Sequence, residues 1–450
     1  MSDRRKVLDL FEAQKDYMDS RVEHGIELYR KGFGYITVKD AEGNVIPNAQ
    51  VKVKLKNHEF RFGANIFMLD ELETPEKNEA YKKHFAELFN MATLPFYWDA
   101  TEPEEGKIRY AKGSSPLYRR PPIDLCMEFC EEHGIEPREH ALCFEQFFPK
   151  WVEGKPTPEV KKLLKKRYAE IAERYADRIN TIEVTNEMFW YKPKTEFYND
   201  PEFITWCFKL AEQYFPNNQL VINEATPFAW EENARFTDRY FAYIENAMFK
   251  GARIDAIGMQ FHHFTKKENE YDTGRQYYSP ERLYLHLDHY ATLGKPLQIT
   301  EVTLPAYSWE PEDEEIQAKL IENLYSIWFS HPNVEQIIYW NLVDGYAHVW
   351  DPDPEKIKAS QGKMDLGENY YHGGLFRFDL TPKAAYYTIR HLIKEKWHTE
   401  ETLTADGAGK AHFKGFYGDY DVEITANGKT VTKELNLHSK NRTNEYTFSI

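Results

Sequence analysis

The sequence predicts an α/β fold: a (β/α)8 TIM barrel with a small accessory β-sandwich built from N- and C-terminal segments. Three observations carry this expectation. Eight short β-branched and apolar runs recur a few tens of residues apart with helical stretches between them, the rhythm of parallel strands joined by crossover helices. Both ends of the chain switch instead to strict alternation, the pattern of half-buried strands. At 450 residues the chain suits one large barrel plus an appendage better than a single ordinary core. A doubly wound sheet is the rival, but no GxGxxG or P-loop string is present.

The elements follow in order. Residues 1–33 read as an N-terminal helix, with Met18, Val22, Ile26 and Tyr29 on one face. Residues 34–58 read as a β-hairpin, GYITVKDAEGNVIPNAQVKVKL (Gly34–Leu55), turning at AEGN. Residues 59–398 form the barrel. Its strands start near Phe60, Met91, Arg138, Asn180, Gln219, Ile254, Pro296 and Glu335. Residues 399–450 complete the accessory sandwich, with strands in HFKGFYGDYDVEITANGKTVTKEL (His412–Leu435) broken by YGD and ANG. Neither terminal piece can bury a sheet face alone, so the two are expected to meet.

Composition narrows the function. A net charge of -16 argues against nucleic acid or an anionic membrane as partner, since phosphate binding needs a basic patch. The basic cluster KKLLKKRY (Lys161–Tyr168) has helical spacing and reads as the solvated face of an amphipathic helix. The start, MSDRRKVLDLFEAQ, places charges where a signal peptide needs an apolar segment, and no run of 18 apolar residues occurs. A cytoplasmic location is expected. Cys126, Cys130, Cys143 and Cys207 have no metal spacing and read as reduced, buried thiols. The 30 Tyr, 29 Phe and 10 Trp suit sugar faces as well as a core.

Two strands end on a glutamate: TIEVTNE (Thr181–Glu187) and PLQITE (Pro296–Glu301). In a barrel both fall on the C-terminal face, where active sites lie. A single strand-end glutamate more often pairs with Arg or Lys at the rim. Two, in these contexts, are the equipment for cutting a glycosidic bond: one protonated to assist the leaving oxygen, one ionised to attack or to activate water.

With these strings in hand, the sequence resembles glycoside hydrolase family 10, the retaining xylanases. TNE (Thr185–Glu187) resembles the acid/base segment and QITE (Gln298–Glu301) the nucleophile segment. GMQFHH (Gly258–His263) resembles the family's Gly-x-Gln-x-His. YWNLVDGYAHVW (Tyr339–Trp350) with GLFRFDLTPKAAYYTI (Gly374–Ile389) resembles its last strand, aromatic loop and last helix. The resemblance implies Glu187 as acid/base and Glu301 as nucleophile, with Asn186 on the sugar 2-hydroxyl and His262 on the nucleophile. It implies substrate contacts at Trp98, Tyr97, His140, Glu145, Gln260, Trp340 and Trp350. No metal is implied: His262 and His263 lack a third ligand at fixed spacing. No cofactor is implied either.

The resemblance also fails at particular places. In TLPFYWDATEP (Thr93–Pro103), Leu94 and Tyr97 stand where the family carries an Asn and a Lys that grip sugars on the non-reducing side. In REHALCFEQFFPKW (Arg138–Trp151), Phe144 and Glu145 replace a Trp and a His. Glu145 is expected either to meet sugar hydroxyls or to pair with Arg138. The implied activity is retaining hydrolysis of a β-linked xylo-oligosaccharide or related plant-derived glycan. The alternatives are a glycosidase for a non-xylan β-glycoside, a non-catalytic carbohydrate-binding barrel, and a metal-dependent hydrolase using His262 and His263. The partner is an oligosaccharide or polysaccharide; oligomeric state is not legible.

Overall fold

A computed structural model of the chain describes residues 3–189, 193–230, 238–351 and 353–450. The N-terminal segment opens with a short 3-10 turn and continues as a helix, Lys15–Tyr29. This helix lies against the barrel helix Pro311–Ser330. Gly25 makes the approach possible, since a Cβ there would sit 2.3 Å from the carbonyl oxygen of Ser330. Arg30 ends the helix and donates to the carbonyls of Phe329, His331 and Val334. At the other end Arg4 is buried, bound to Glu270, Asp313 and the Pro305 carbonyl.

The next two strands are β1 (Lys31–Lys39) and β2 (Gln50–His58). The barrel follows: β3 (Arg61–Asn65), β4 (Met91–Pro95), β5 (Glu136–His140), β6 (Thr181–Asn186), β7 (Gln219–Glu224), β8 (Ala256–His262), β9 (Leu297–Thr303) and β10 (Val334–Tyr339). These eight close in sequence order, β10 pairing back onto β3, every pairing parallel. The strands begin within two residues of where the apolar runs place them. Burial on both faces explains their lack of alternation.

The C-terminal segment supplies β11 (Glu400–Thr404), β12 (Lys410–Phe416), β13 (Gly418–Ala426), β14 (Lys429–Leu437) and β15 (Asn444–Ser449). Both ends of the chain meet here in two sheets, one ordered β12-β1-β15 and the other β11-β2-β13-β14. Residues alternate in and out, with Ile36, Val38, Val51, Val53, Phe413, Val422 and Ile424 in the shared core. One expectation needs correcting. β1 and β2 do not form a hairpin ladder but join different sheets; the stretch between them folds back on the end of β1 at a Lys39–Val45 bridge. The stretch between them is longer than a tight turn, so each strand is free to find partners from the C-terminal segment. The turn at Asn427-Gly428 does make a hairpin, β13 to β14, with both residues at positive φ (51° and 75°) as a type I′ turn demands.

Aromatic packing joins the accessory sheets to the barrel. Trp397 stacks on Phe329 with ring centres 4.2 Å apart, and His58 lies edge-on to Phe62, Phe329 and Phe416. The helix Thr157–Tyr175 carries the basic cluster, and its lysines are outward as expected, but Arg167 is buried. Its guanidinium donates to Thr101 Oγ1 at 2.9 Å and to the carbonyls of Phe96, Ala141 and Leu142. It therefore pins the loops leaving β4 and β5 on the face that carries the site. All four cysteines are buried thiols. Among the described residues no helix is long and apolar enough to cross a membrane.

Candidate active site

A cavity of about 740 Å³ opens at the C-terminal ends of the strands, and both Glu187 and Glu301 line it. Local backbone irregularity aims each carboxylate. The β6–β7 register slips between Glu183 and Thr185, and the β8–β9 register slips between Ile299 and Glu301. Such bulges rotate side chains toward a site that regular pleating would miss. Glu187 itself takes a positive φ of 51°, uncommon outside glycine and a recurrent feature of functional positions.

A chain of amide hydrogen bonds spans the floor. Thr300 Oγ1 donates to Asn223 Oδ1 at 2.7 Å, which fixes the orientation of the Asn223 amide. Asn223 Nδ2 then donates to Glu301 Oε1 at 3.1 Å and to Asn186 Oδ1 at 3.0 Å. Gln260 Nε2 donates to Asn186 Oδ1 at 3.2 Å and to Glu187 Oε1 at 3.0 Å. The other oxygen of Glu301 meets His262 Nε2 at 3.2 Å, while His262 Nδ1 meets Thr303 Oγ1 at 2.9 Å. Burial holds His262 down to about 4, so its ring is neutral near pH 7. The tautomer with hydrogen on Nε2 satisfies both contacts, with the Thr303 hydroxyl donating to Nδ1.

The electrostatics follow from burial. Desolvation pushes the carboxyl of Glu301 well up, the charges of Glu183 and Glu187 adding to it and His140 and Arg138 opposing it. Asn223 and His262 each offer a hydrogen to Glu301 and so favour its charged form. Burial opposes ionisation of Glu183 as well, but His140 and Arg138 outweigh it and hold that carboxyl low.

His140, Glu183 and Glu301 have ligating atoms within 4.8 Å of one another, the spacing of a metal site. Their bonds argue otherwise. Arg138 Nη2 lies 2.5 Å from Glu183 Oε2, and His140 Nδ1 lies 2.8 Å from Glu183 Oε1. A cation would have to displace the arginine and break the histidine bond. The trio is better read as a charge-balanced chain that ends at Tyr97, whose hydroxyl lies 3.0 Å from His140 Nε2.

The cavity brings together Tyr97, His140, Glu145, Glu187, Gln260, His262, Glu301, Trp340 and Trp350. Trp340 is buried edge-on to Phe67, and Trp350 is 61% exposed at the rim. Asn186 lies beneath the floor, and its Nδ2 is buried without a hydrogen-bond partner among the described residues. Trp98 does not reach the cavity. Its ring is buried between Phe148 and Trp151, and its N–H donates to Glu102 at 2.9 Å. Glu145 does not pair with Arg138, which is committed to Glu183; it accepts from Thr195 N at 2.7 Å and Thr195 Oγ1 at 2.6 Å. His263 points away into contact with Tyr277 and Tyr278.

Several lining or supporting residues were not legible as site residues. Asn223 and Glu224 end β7 in the same Asn-Glu pair as Asn186 and Glu187, a repeat visible in the sequence. Glu224 is buried and accepts from Met188 N at 2.7 Å, holding the turn that carries Glu187. Arg119, Arg120, Lys194, His348 and Glu368 also line the cavity.

Residues 52–392 match the family described as Glycosyl hydrolase family 10, and the chain belongs to that family. Among curated proteins it is similar to the anti-sigma-I factor RsgI6 of Acetivibrio thermocellus, 24% identical across 94% of this chain and 48% of the relative. It is also similar to endo-1,4-beta-xylanase 2 of Arabidopsis thaliana, 22% identical across 94% of this chain and 35% of the relative. Endo-1,4-beta-xylanase B of Thermotoga neapolitana is 24% identical across 78% of this chain and 92% of its own. The chain thus spans half or less of the length of the first two. Among solved structures, native xylanase 10B from Thermotoga maritima superposes with a TM-score of 0.59 at 21% identity, covering 75% of this chain and 96% of its own. That likeness is one of fold.

Proposed function

We propose that this family 10 member is a retaining β-glycoside hydrolase of xylanase type, acting on β-linked xylo-oligosaccharides or a related plant-derived glycan. The observation that carries the reading is the hydrogen-bond chain Glu301–Asn223–Asn186–Gln260–Glu187 across the floor of an aromatic-walled cavity. In this reading Glu187 gives its proton to the leaving oxygen while Glu301 attacks the anomeric carbon, forming a glycosyl-enzyme ester. Glu187, now ionised, takes a proton from water, which attacks the same carbon and releases the sugar with its configuration retained. His262 and Asn223 orient Glu301 and stabilise its charge. Asn186 Nδ2, a buried donor without a hydrogen-bond partner among the described residues, suits a hydroxyl next to the anomeric carbon. Trp340 and Trp350 wall the sugar.

A second reading, a glycosidase for a non-xylan β-glycoside, is favoured by the changed wall: Tyr97, Phe144 and Glu145 fill the non-reducing side. The non-catalytic reading is disfavoured by two carboxylates that keep their donors. We assign residues 59–398 to catalysis and the flanking β-structure to an accessory unit. A cytoplasmic setting suits four buried, unpaired thiols, and the acidic surface suits neither nucleic acid nor membrane.

The test is hydrolysis of a panel of aryl β-glycosides (xyloside, xylobioside, cellobioside, galactoside, arabinoside) by the wild type beside Glu301→Ala. Turnover confined to the wild type is expected. Equal turnover by both proteins would overturn the assignment of Glu301, and silence in both would overturn the activity.

A further inference from the structure

Arg119 and Arg120 stand on the loop between β4 and the helix Ile123–His133, and both line the cavity beside Tyr97. Among the described residues their guanidinium hydrogen bonds run only to main-chain carbonyls: Arg119 Nη1 to Tyr346, and Arg120 Nη1 to Arg119 at 2.9 Å. Arg119 is 4% exposed, and its Nε is buried with no partner among the described residues. The guanidinium of Arg120 lies 3.8 Å from the centre of the Tyr97 ring, with Phe67 and Phe147 further out.

Among the described residues no carboxylate forms a salt bridge with either guanidinium. Glu71 accepts from the main-chain N–H of Arg119 at 2.9 Å rather than from a guanidinium. Asp99 and Glu71 act on Arg120 through space alone. The acids that line the cavity have donors of their own: Thr195 for Glu145, Asn341 for Glu368, Asn223 and His262 for Glu301. Lys194, by contrast, is paired with Glu153 at 3.0 Å. Two adjacent like charges, half stripped of water and without a salt-bridged carboxylate among the described residues, are costly to hold in a wall. Burial, with repulsion from Arg119 adding to it, depresses the ionisation of Arg120. Such a cost is characteristic of a site whose missing partner arrives with the ligand.

The position defines the ligand. Tyr97 meets His140 at 3.0 Å, and the ligating atoms of His140 and Glu301 lie within 4.8 Å. Arg120 packs on Tyr97, which leads through His140 toward Glu301, and both arginines line the same cavity as Glu301. The planar guanidinium fork matches a carboxylate with two parallel hydrogen bonds. We propose that Arg119 and Arg120 bind the carboxylate of a hexuronic acid unit on the non-reducing side of the cleaved bond, an assignment that rests on the glycosidase reading above.

The experiment compares kcat/KM for acidic and neutral partners: nitrophenyl β-glucuronide against nitrophenyl β-xyloside, and xylotriose with a terminal glucuronic acid against plain xylotriose. A third arm carries the acid on the aglycone, as carboxyphenyl β-xyloside. The proteins are the wild type, Arg120→Lys and Arg120→Gln, with the same acidic and plain trisaccharides also titrated by calorimetry. The wild type should prefer at least one acidic sugar by about tenfold or more. That ratio should fall toward unity in Arg120→Gln and be partly kept in Arg120→Lys, with the calorimetric Kd following it. The proposal is overturned if the wild type shows no acid preference, if the preference survives Arg120→Gln, or if only the aglycone acid gains. Should no substrate be cleaved, the glycosidase reading fails, while calorimetry still decides the inference: acid-dependent binding that Arg120→Gln removes upholds it, and none overturns it.

Discussion

Asn223 Nδ2 lies 3.1 Å from Glu301 Oε1, tying the end of β7 to a carboxylate on β9. The same nitrogen reaches Asn186, so one amide sets the spacing of both halves of the floor. Asn223→Ala should lower kcat/KM on aryl β-glycosides by roughly 100-fold, in the range seen when one donor to a reacting group is lost. It should also cost about 1–3 kcal/mol of stability, because Thr300 Oγ1 and Asn186 lose a buried partner. Without that donor the charged form of Glu301 is less favoured, so the acid limb of the kcat/KM profile should move to higher pH. A pure packing role would leave the limb where it is.

The two glutamates should separate by leaving group. Glu301→Ala should abolish turnover, and azide should restore cleavage with a product of inverted configuration. Glu187→Ala should spare substrates with good leaving groups far more than poor ones, because only the latter need the proton. Equal losses on both substrate types would contradict the acid role of Glu187.

The non-reducing side is coupled to Arg120. Tyr97→Lys, which restores the family-like cation, would place an ammonium under a guanidinium now 3.8 Å from the Tyr97 ring centre. It should destabilise the protein, and Arg120→Ala should relieve part of the loss, with a coupling of about 1 kcal/mol in a double-mutant cycle of denaturant midpoints. Glu145→His should cost a further 1–3 kcal/mol or so, since Thr195 loses the acceptor for two donors. Additive losses for Tyr97→Lys and Arg120→Ala would count against the repulsion.

Acid should loosen the junction between barrel and accessory sheets. His58 is buried against Phe62, Phe329 and Phe416, and burial lowers its pKa from 6.5 to about 3. The unfolded chain therefore takes up a proton that the folded chain refuses between pH 6.5 and about 3. The contribution of His58 is intact above 6.5 and falls by about 1.4 kcal/mol per unit below it. Relative to His58→Gln, the wild type should lose stability as pH drops through that window. A difference that is flat with pH would contradict this.

Much of the fold was legible because a closed parallel barrel buries both faces of every strand. The eight apolar runs therefore stand out against polar crossovers, and β4 begins where MATLPFY does. The β1–β2 hairpin was not, because alternation marks a strand without naming its partner. In the site, Glu187 and Glu301 were legible from their strand-end positions. Trp98 was misplaced because sequence register cannot tell a wall from the layer behind it. Arg167 was assigned to a solvated face by its lysine neighbours, yet helical spacing turns it inward onto the loops of β4 and β5. Arg119 and Arg120 escaped notice because a charged pair in a loop looks solvated until its surroundings are known.

The central claim is that Glu301 is the residue that becomes glycosylated. The most direct measurement is trapping with an activated 2-fluoro-xylobioside, followed by peptide mass mapping of the labelled protein. The label is expected on Glu301 in the LQITEVT strand, with none taken up by Glu301→Ala. A label on another residue, or turnover of the parent xylobioside to the inverted anomer without any label, would contradict the account.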